Sequence, residues 1–298
     1  WRALLSNEEM ADVMRASGGV ICAAGDGLAP ADKKLYALRD VTGTVEAIPL
    51  IASSIMSKKI AEGADGLVLD VKTGNGAFMS DLARAEKLAR TMVEIGNDAG
   101  VRTRALITAM DVPLGLAVGN AIEVTESLEV LAGGGPSDLI ELVIALANEM
   151  LDIAGIDADP REAITSGRAM DHWRRMVTAQ GGDPDAPLPE ARHQHVITAP
   201  VAGPLSTLEA YGVGVAAWRL GAGRAHKEDE IIHGAGVQLH AKPGDVLSQG
   251  QPIMTLLADD EARLPAAIAE LEGSWEIGGE PMDRHPLVIT RFDENTRG

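Results

Sequence analysis

Residues 66–77 read Gly-Leu-Val-Leu-Asp-Val-Lys-Thr-Gly-Asn-Gly-Ala, a short apolar run that ends in a glycine-rich turn. Such a run, closed by such a turn, predicts a buried strand over 66–72. Residues 81–98 then repeat apolar side chains at helical spacing, and 101–108 return to a strand pattern. Strand, crossover helix and strand make a βαβ unit with a right-handed connection. The stretch therefore predicts an α/β fold, with a parallel or mixed sheet and flanking helices.

The same rules extend the prediction in both directions along the chain. A buried strand is predicted at 18–24, and Ser80 is the predicted N-cap of the 81–98 helix. Residues 181–189 are rich in glycine and proline and predict a linker. After about residue 196, short β-like runs separated by glycines predict a smaller β-rich domain. Further helices are predicted over 7–16, 49–62, 121–132, 136–154 and 159–180.

Composition excludes several classes of partner. The net charge is −18 and only eight of the 298 residues are aromatic, which argues against a nucleic-acid-binding surface. No apolar run is long enough to span a bilayer, so no membrane partner is expected. A single cysteine, Cys22, excludes an intrachain disulfide and suits the reducing cytoplasm.

The glycine turn at 73–77 is the first candidate binding element. Gly74 and Gly76 would let an anion approach the backbone closely. The turn lacks the third glycine of a dinucleotide fingerprint and the Lys-Ser/Thr pair of a P-loop. An ordinary turn between strand and helix is the alternative, and both interpretations stay open at this point.

Ser54 and Lys58 form the second candidate. They are four residues apart on a predicted helix, so both point the same way, beside apolar residues such as Ile55. Arg39, on a preceding helical segment, would join them if the two helices pack face to face. The functional interpretation is a set of desolvated donors aimed at a ligand. The alternative is a lysine that merely extends along apolar surface to reach water.

The seven histidines give a weak metal signal. His193 and His195 are two apart, and His226, His233 and His240 follow at intervals of seven, without a cysteine partner or a His-Glu-x-x-His motif. Exposed histidines or histidines satisfied inside the core are the expected alternative. The sequence also lacks the Gly-x-Ser-x-Gly elbow of serine hydrolases.

Four blocks resemble the thymidine and pyrimidine-nucleoside phosphorylase family. The first and most specific covers residues 28–59, from Leu-Ala-Pro-Ala-Asp-Lys-Lys to Ile-Met-Ser-Lys-Lys. The others are Asp-Val-Lys-Thr-Gly-Asn-Gly-Ala-Phe-Met at 70–79, Pro-Leu-Gly-Leu-Ala-Val-Gly-Asn-Ala-Ile-Glu-Val-Thr-Glu at 113–126 and Leu-Gly-Ala-Gly-Arg-Ala-His-Lys-Glu-Asp at 220–229. Gly43 and Ser53 depart from the family pattern, where alanine and threonine are usual.

The resemblance implies phosphorolysis, in which inorganic phosphate attacks C1′ of a pyrimidine nucleoside and releases the base. The residues that would hold the base are Arg39, Ser54 and Lys58, with Arg39 and Lys58 as the catalytic cations. Negative charge develops on the pyrimidine as the glycosidic bond breaks, and fixed cationic donors stabilise that transition state. No cofactor is required beyond phosphate as a substrate. The resemblance also implies a homodimer.

The resemblance further implies a domain arrangement and a possible ion. Residues 1–30 and 63–190 would belong to the α/β domain, 31–62 to a small helical domain, and 191–298 to a C-terminal β-rich, barrel-sandwich-like α+β domain, with the active site in the cleft. An alkali metal ion, potassium or sodium, would be held by the carbonyls of Leu114 and Ala117 and the carboxylate of Glu126. A plain surface carboxylate is the alternative for Glu126.

One departure from the family is large. The phosphate-binding signature Lys-His-Ser-Thr-Gly-Gly-Val-Gly-Asp is not found in the 298 residues. Since Trp1 aligns inside the family's α/β domain, the sequence is expected to be a C-terminal fragment or a truncated gene product. In either case it is not expected to catalyse phosphorolysis alone.

Two other functions compete with the phosphorylase interpretation. Residues 242–255 look like half of a biotinyl or lipoyl domain, which favours a carrier, but Lys242 lacks the usual Met-Lys-Met setting. A phosphoribosyltransferase of the same fold would need acidic residues that hold Mg²⁺-diphosphate, and no such motif is found.

Overall fold

A computed structural model describes the chain over 1–23, 25, 27–32, 34–35, 47–224, 229–282 and 284–296. Its helices are α1 (Asn7–Ser17), α2 (Ile48–Ala61), α3 (Leu82–Asp98), α4 (Ala121–Leu131), α5 (Ser137–Ala154), α6 (Pro160–Thr165), α7 (Arg168–Ala179), α8 (Ala210–Ala217) and α9 (Leu264–Glu270). Its strands are β1 (Gly66–Thr73), β2 (Arg102–Ala109), β3 (Ala117–Gly119), β4 (His193–Thr198), β5 (Gly203–Leu208), β6 (Gly236–Leu239), β7 (Val246–Leu247), β8 (Pro252–Ala258), β9 (Trp275–Ile277) and β10 (Val288–Phe292).

The predicted βαβ unit is confirmed. β1 and β2 pair in parallel, with Leu69 beside Ala105, and α3 makes the crossover between them. β10 adds an antiparallel strand to the other side of β2, so the order is β1-β2-β10. The result is a mixed sheet with flanking helices, as the sequence predicts.

The first apolar core lies between one face of this sheet and the helices α2 and α3. Alternate residues of β1 point to opposite faces, so Leu69 and Val71 enter this core while Asp70 and Lys72 face away from it. Gly96 lets α3 lie close to β2, because a Cβ there would be 2.0 Å from Oγ1 of Thr103. The buried members include Ile51, Ala52, Met56, Leu69, Val71, Leu88, Met92, Ile107 and Phe292.

The second core belongs to the β-rich C-terminal part that the sequence predicts. A four-stranded sheet has the order β3-β6-β8-β4, and a three-stranded sheet has the order β7-β5-β9. α8 and α9 pack against these sheets. The buried members include Leu205, Leu208, Val213, Leu220, Val237, Leu239, Ile253, Leu256 and Leu271.

Two strands connect these regions. β3 lies between α/β elements in the sequence but pairs with β6 in the C-terminal sheet. β10 follows the C-terminal elements but returns to pair with β2. The two cores are thus joined by exchanged strands as well as by chain connections.

Three local predictions are wrong. Residues 18–23 form no strand, because the side-chain amide of Gln180, rather than a neighbouring strand, bonds both the N–H and the carbonyl of Ile21. The N-cap of α3 is Asp81, whose carboxylate accepts the N–H of Arg84 at 2.9 Å, and not Ser80. The helix predicted over 159–180 is broken into α6 and α7 at Gly167, whose φ is +79°.

Within the described ranges, we find no helix with the length and apolar character that a membrane crossing requires.

Candidate active site

Ser54 and Lys58 lie together on α2, one turn apart, as predicted. The Lys58 ammonium donates to Oγ of Ser54 at 3.1 Å and to the Ser54 carbonyl at 2.5 Å. Ser54 is buried, with 6% of its surface exposed, whereas the Lys58 side chain is 29% exposed. The two donors therefore form a single half-buried polar unit beside the first core.

Asp32 completes this unit, although no sequence pattern singles it out. Its Oδ2 accepts from the Lys58 ammonium at 2.6 Å, and its side chain is 12% exposed. An ammonium has three donors, and the contacts to Asp32 and to two atoms of Ser54 use all three. A ligand acceptor can reach Lys58 only by replacing one of these contacts.

Arg39 is the remaining predicted member of the base site. It lies outside the described residues, as does Gly43. Its placement beside Ser54 and Lys58 therefore stays a prediction.

Three backbone N–H groups of the glycine turn already have acceptors within the protein. The N–H of Asn75 donates to Oδ1 of Asp111 at 3.2 Å, that of Gly76 to the carbonyl of Met110 at 2.9 Å, and that of Ala77 to the carbonyl of Gly74 at 3.1 Å. An anion cradle needs free N–H groups. This geometry fits the alternative interpretation, an ordinary turn between strand and helix.

A second polar cluster lies on the sheet face opposite α2. The Lys72 ammonium contacts Asp70 at 2.6 Å and the buried hydroxyl of Thr108 at 3.0 Å, and that hydroxyl donates to Asp70 at 2.5 Å. Alternation along β1 places this cluster on the other side of the sheet from Ser54 and Lys58. It is not part of the candidate base site.

Glu126 is buried, with 8% of its surface exposed, under the loop that carries Leu114 and Ala117. Its Oε1 accepts the N–H of Leu116 at 2.7 Å. Burial raises the pKa of the Glu126 carboxyl, while N–H groups of Leu116 and Ala117 and the charge of Lys242 oppose the rise. The surface-carboxylate alternative is therefore wrong for Glu126.

Lys242 is held in place by the α/β part of the chain. Its ammonium donates to the carbonyl of Pro113 and to Asp138, the latter at 3.0 Å. A carrier lysine must project freely from a hairpin tip, so this engaged side chain does not suit a carrier role.

Two of the described histidines have separate hydrogen-bond partners. His193 contacts Glu261 at 3.1 Å, and His240 contacts the hydroxyl of Thr255 at 2.7 Å. His226 lies outside the described residues. Over the part of the chain that the structure covers, no three His, Cys, Asp or Glu side chains are grouped to hold a metal.

Comparison of the sequence with known proteins finds matches to one family. Residues 3–171 match the α/β domain of a glycosyl transferase family, and residues 205–278 match the pyrimidine nucleoside phosphorylase C-terminal domain. The chain is 54% identical to thymidine phosphorylase of Mycobacterium tuberculosis (strain H37Rv) over 97% of its own length and 68% of the relative's. It is 46% identical to pyrimidine-nucleoside phosphorylase of Bacillus subtilis (strain 168) over 95% of its own length and 69% of the relative's.

Proposed function

The chain belongs to the thymidine and pyrimidine-nucleoside phosphorylase family, and from this premise we propose that it acts in the phosphorolysis of pyrimidine nucleosides. One structural observation supports the proposal independently of the family match. It is the half-buried Ser54–Lys58 pair on α2, which offers a cation and a hydroxyl from one helix turn. Such a pair suits the imide edge of a pyrimidine, which presents both acceptor and donor atoms.

The reaction requires stabilisation of a departing base. A phosphate oxygen forms a bond to C1′ while the C1′–N1 bond breaks, and its electron pair moves onto the pyrimidine. The base then takes up a proton, and the sugar leaves as its 1-phosphate. Lys58 and Arg39 would stabilise the charge on the base carbonyl oxygens, and Ser54 would bond the imide edge.

Asp32 gives Lys58 a defined starting position. Held by a carboxylate at 2.6 Å, the ammonium takes one orientation on the half-buried surface. As negative charge grows on the base, the base becomes a better acceptor for one of the three Lys58 donors. The interaction is then stronger in the transition state than in the ground state, which is the condition for catalysis.

The oxygen atoms around Glu126 are of the chemical type that binds an alkali metal ion. A buried carboxylate and the carbonyls of Leu114 and Ala117 are hard oxygen ligands. We propose that these three residues would hold such an ion, which would supply positive charge that fixes the 114–117 loop. In addition we propose a homodimer, which the family resemblance implies, and a cytoplasmic location, which the single cysteine favours.

The test follows free thymine and uracil released from thymidine and uridine with excess phosphate, using the protein that carries this chain. Lys58→Ala should lower kcat/KM by about 10²-fold, because it removes a charged donor from the developing anion. Lys59→Ala is the matched control, since the Lys59 side chain is 40% exposed and pairs with Glu62 at 2.9 Å, away from Ser54. Absence of base release from the unmodified protein would refute the function, and equal rates in the two variants would refute the base site.

A further inference from the structure

The glycine turn and the C-terminal part of the chain are connected by one asparagine. The side chain of Asn75 donates from Nδ2 to the carbonyl of Asp111 at 2.9 Å and accepts at Oδ1 the N–H of Tyr211 at 3.1 Å. Its own backbone N–H donates to Oδ1 of Asp111. One residue therefore connects the end of β1, the loop after β2 and the beginning of α8.

These contacts provide hydrogen-bond acceptors for the first backbone N–H groups of α8. The first N–H groups of a helix have no partner within the helix. Here the N–H of Ala210 donates to the carbonyl of Asp111 at 2.9 Å, and the N–H of Tyr211 donates to Asn75. Asn75 thus acts as a cap provided from 136 residues away in the sequence.

The packing around the turn is too close for it to shift freely. A Cβ on Gly76 would lie 2.5 Å from the Cβ of Ala210, and one on Gly74 would lie 2.5 Å from Oδ1 of Asp111. Gly74 also has a φ of +122°, which favours glycine. The turn is therefore fixed in both position and conformation against α8 and the loop after β2.

The junction also includes an unusual polar atom. Oδ2 of Asp111 is buried without a hydrogen-bond partner in the described part of the chain. Buried carboxylate oxygens of this kind are costly and uncommon in packing that serves stability alone. The location also supports a functional role for this junction, because ligands of α/β sheets bind at the carboxyl ends of the strands, where this turn lies.

We propose that Asn75 is a positioning residue for the phosphorolysis: it fixes the glycine turn against α8, so that the C-terminal part of the chain sets the geometry at the carboxyl ends of β1 and β2. The proposal rests on the proposed function. Since the N–H groups of Asn75, Gly76 and Ala77 are occupied, the turn contributes rigidity at the site rather than direct anion binding. A displacement of about 1 Å is enough to lower a rate strongly.

The experiment compares Asn75→Ala with Asn120→Ala. Asn120 is a matched control, because its Nδ2 also bridges distant segments, donating to the carbonyl of Ala222 at 2.7 Å, away from the turn. Both variants lose a bridging amide, so similar falls in melting temperature are expected. Only Asn75→Ala should lower kcat/KM, by about tenfold, and only it should speed hydrogen exchange at the N–H groups of Gly76 and Ala77, by tenfold or more.

Asn75→Asp is the milder second variant. It keeps the size of the side chain and the acceptor for Tyr211 but places a carboxylate oxygen against the carbonyl of Asp111, so it should also lower kcat/KM. Wild-type kinetics in either folded Asn75 variant, or unchanged exchange in Asn75→Ala, would overturn the proposal. An unmodified protein that releases no base would instead overturn the proposed function, and the exchange measurement would still report on the junction.

Discussion

At the scale of single residues, the central feature is the shared hydrogen bond between Ser54 and Lys58. Each side chain is part of the other's environment, with Nζ and Oγ 3.1 Å apart. Residues in direct contact do not contribute independently to a free energy. The pair should therefore behave as one unit toward the base.

A double-mutant cycle tests this unit. Ser54→Ala should lower kcat/KM about tenfold and Lys58→Ala about 10²-fold, since one neutral donor and one charged donor are removed. The double variant should lose clearly less than the product of the two, because Lys58 loses its Ser54 hydroxyl contact already in the first step. Steady-state kinetics with thymidine measure all four proteins, and strictly multiplicative losses would contradict the coupling.

Residue-level prediction succeeded where the partners are close in sequence. Ser54 and Lys58 are four apart on one helix, so helical periodicity alone brought them together. Asp32 is 26 residues from Lys58, and Asn75 is 136 from Tyr211. No local spacing rule relates such pairs, and only the packing of separate elements revealed them.

At the scale of elements, α1 shows a complete N-terminal cap. The Ser6 hydroxyl accepts the N–H of Glu9 at 3.2 Å, and the Glu9 carboxylate accepts the N–H of Ser6 at 2.8 Å. The Ser6 N–H and the guanidinium of Arg2 lower the pKa of Glu9 to about 2, from an ordinary value of 4.5. A lowered carboxyl pKa adds stability above pH 4.5 that is lost as the pH falls toward 2.

Glu9→Gln tests this contribution. Glutamine can still cap the helix but cannot titrate, so the variant should lose less stability than the parent between pH 4.5 and about 2. Above that window the parent should be the more stable of the two. Denaturant unfolding across this pH range measures the difference, and parallel pH curves for the two proteins would contradict the prediction.

Element prediction failed where a distant contact or a single residue decides the outcome. The apolar pattern at 18–24 favours a strand, but Gln180 takes the hydrogen bonds of Ile21 that a strand would use. The long helix predicted at 159–180 ends early because Gly167 adopts a positive φ. The βαβ unit was predictable because its strand runs and the periodicity of α3 agree with its glycine turn.

At the scale of the whole molecule, two apolar cores are joined by exchanged strands. β10 leaves the C-terminal part and places Phe292, only 3% exposed, in the first core. β3 leaves the α/β part, and its Val118 packs against the second core. If either part of the chain unfolds, the sheet of the other part therefore loses a strand.

This strand exchange predicts that the two cores unfold together. Leu256→Ala in the second core and Ile107→Ala in the first each truncate a fully buried side chain, at 0% exposure. Each should lower the free energy of unfolding by about 2–5 kcal/mol. Calorimetry should show one transition in the parent and in both variants, shifted downward in each. Val246→Ala, at a site that is 77% exposed, is the control and should leave the transition in place. Independent cores would give a different result: two resolved transitions, each lowered by only one of the substitutions.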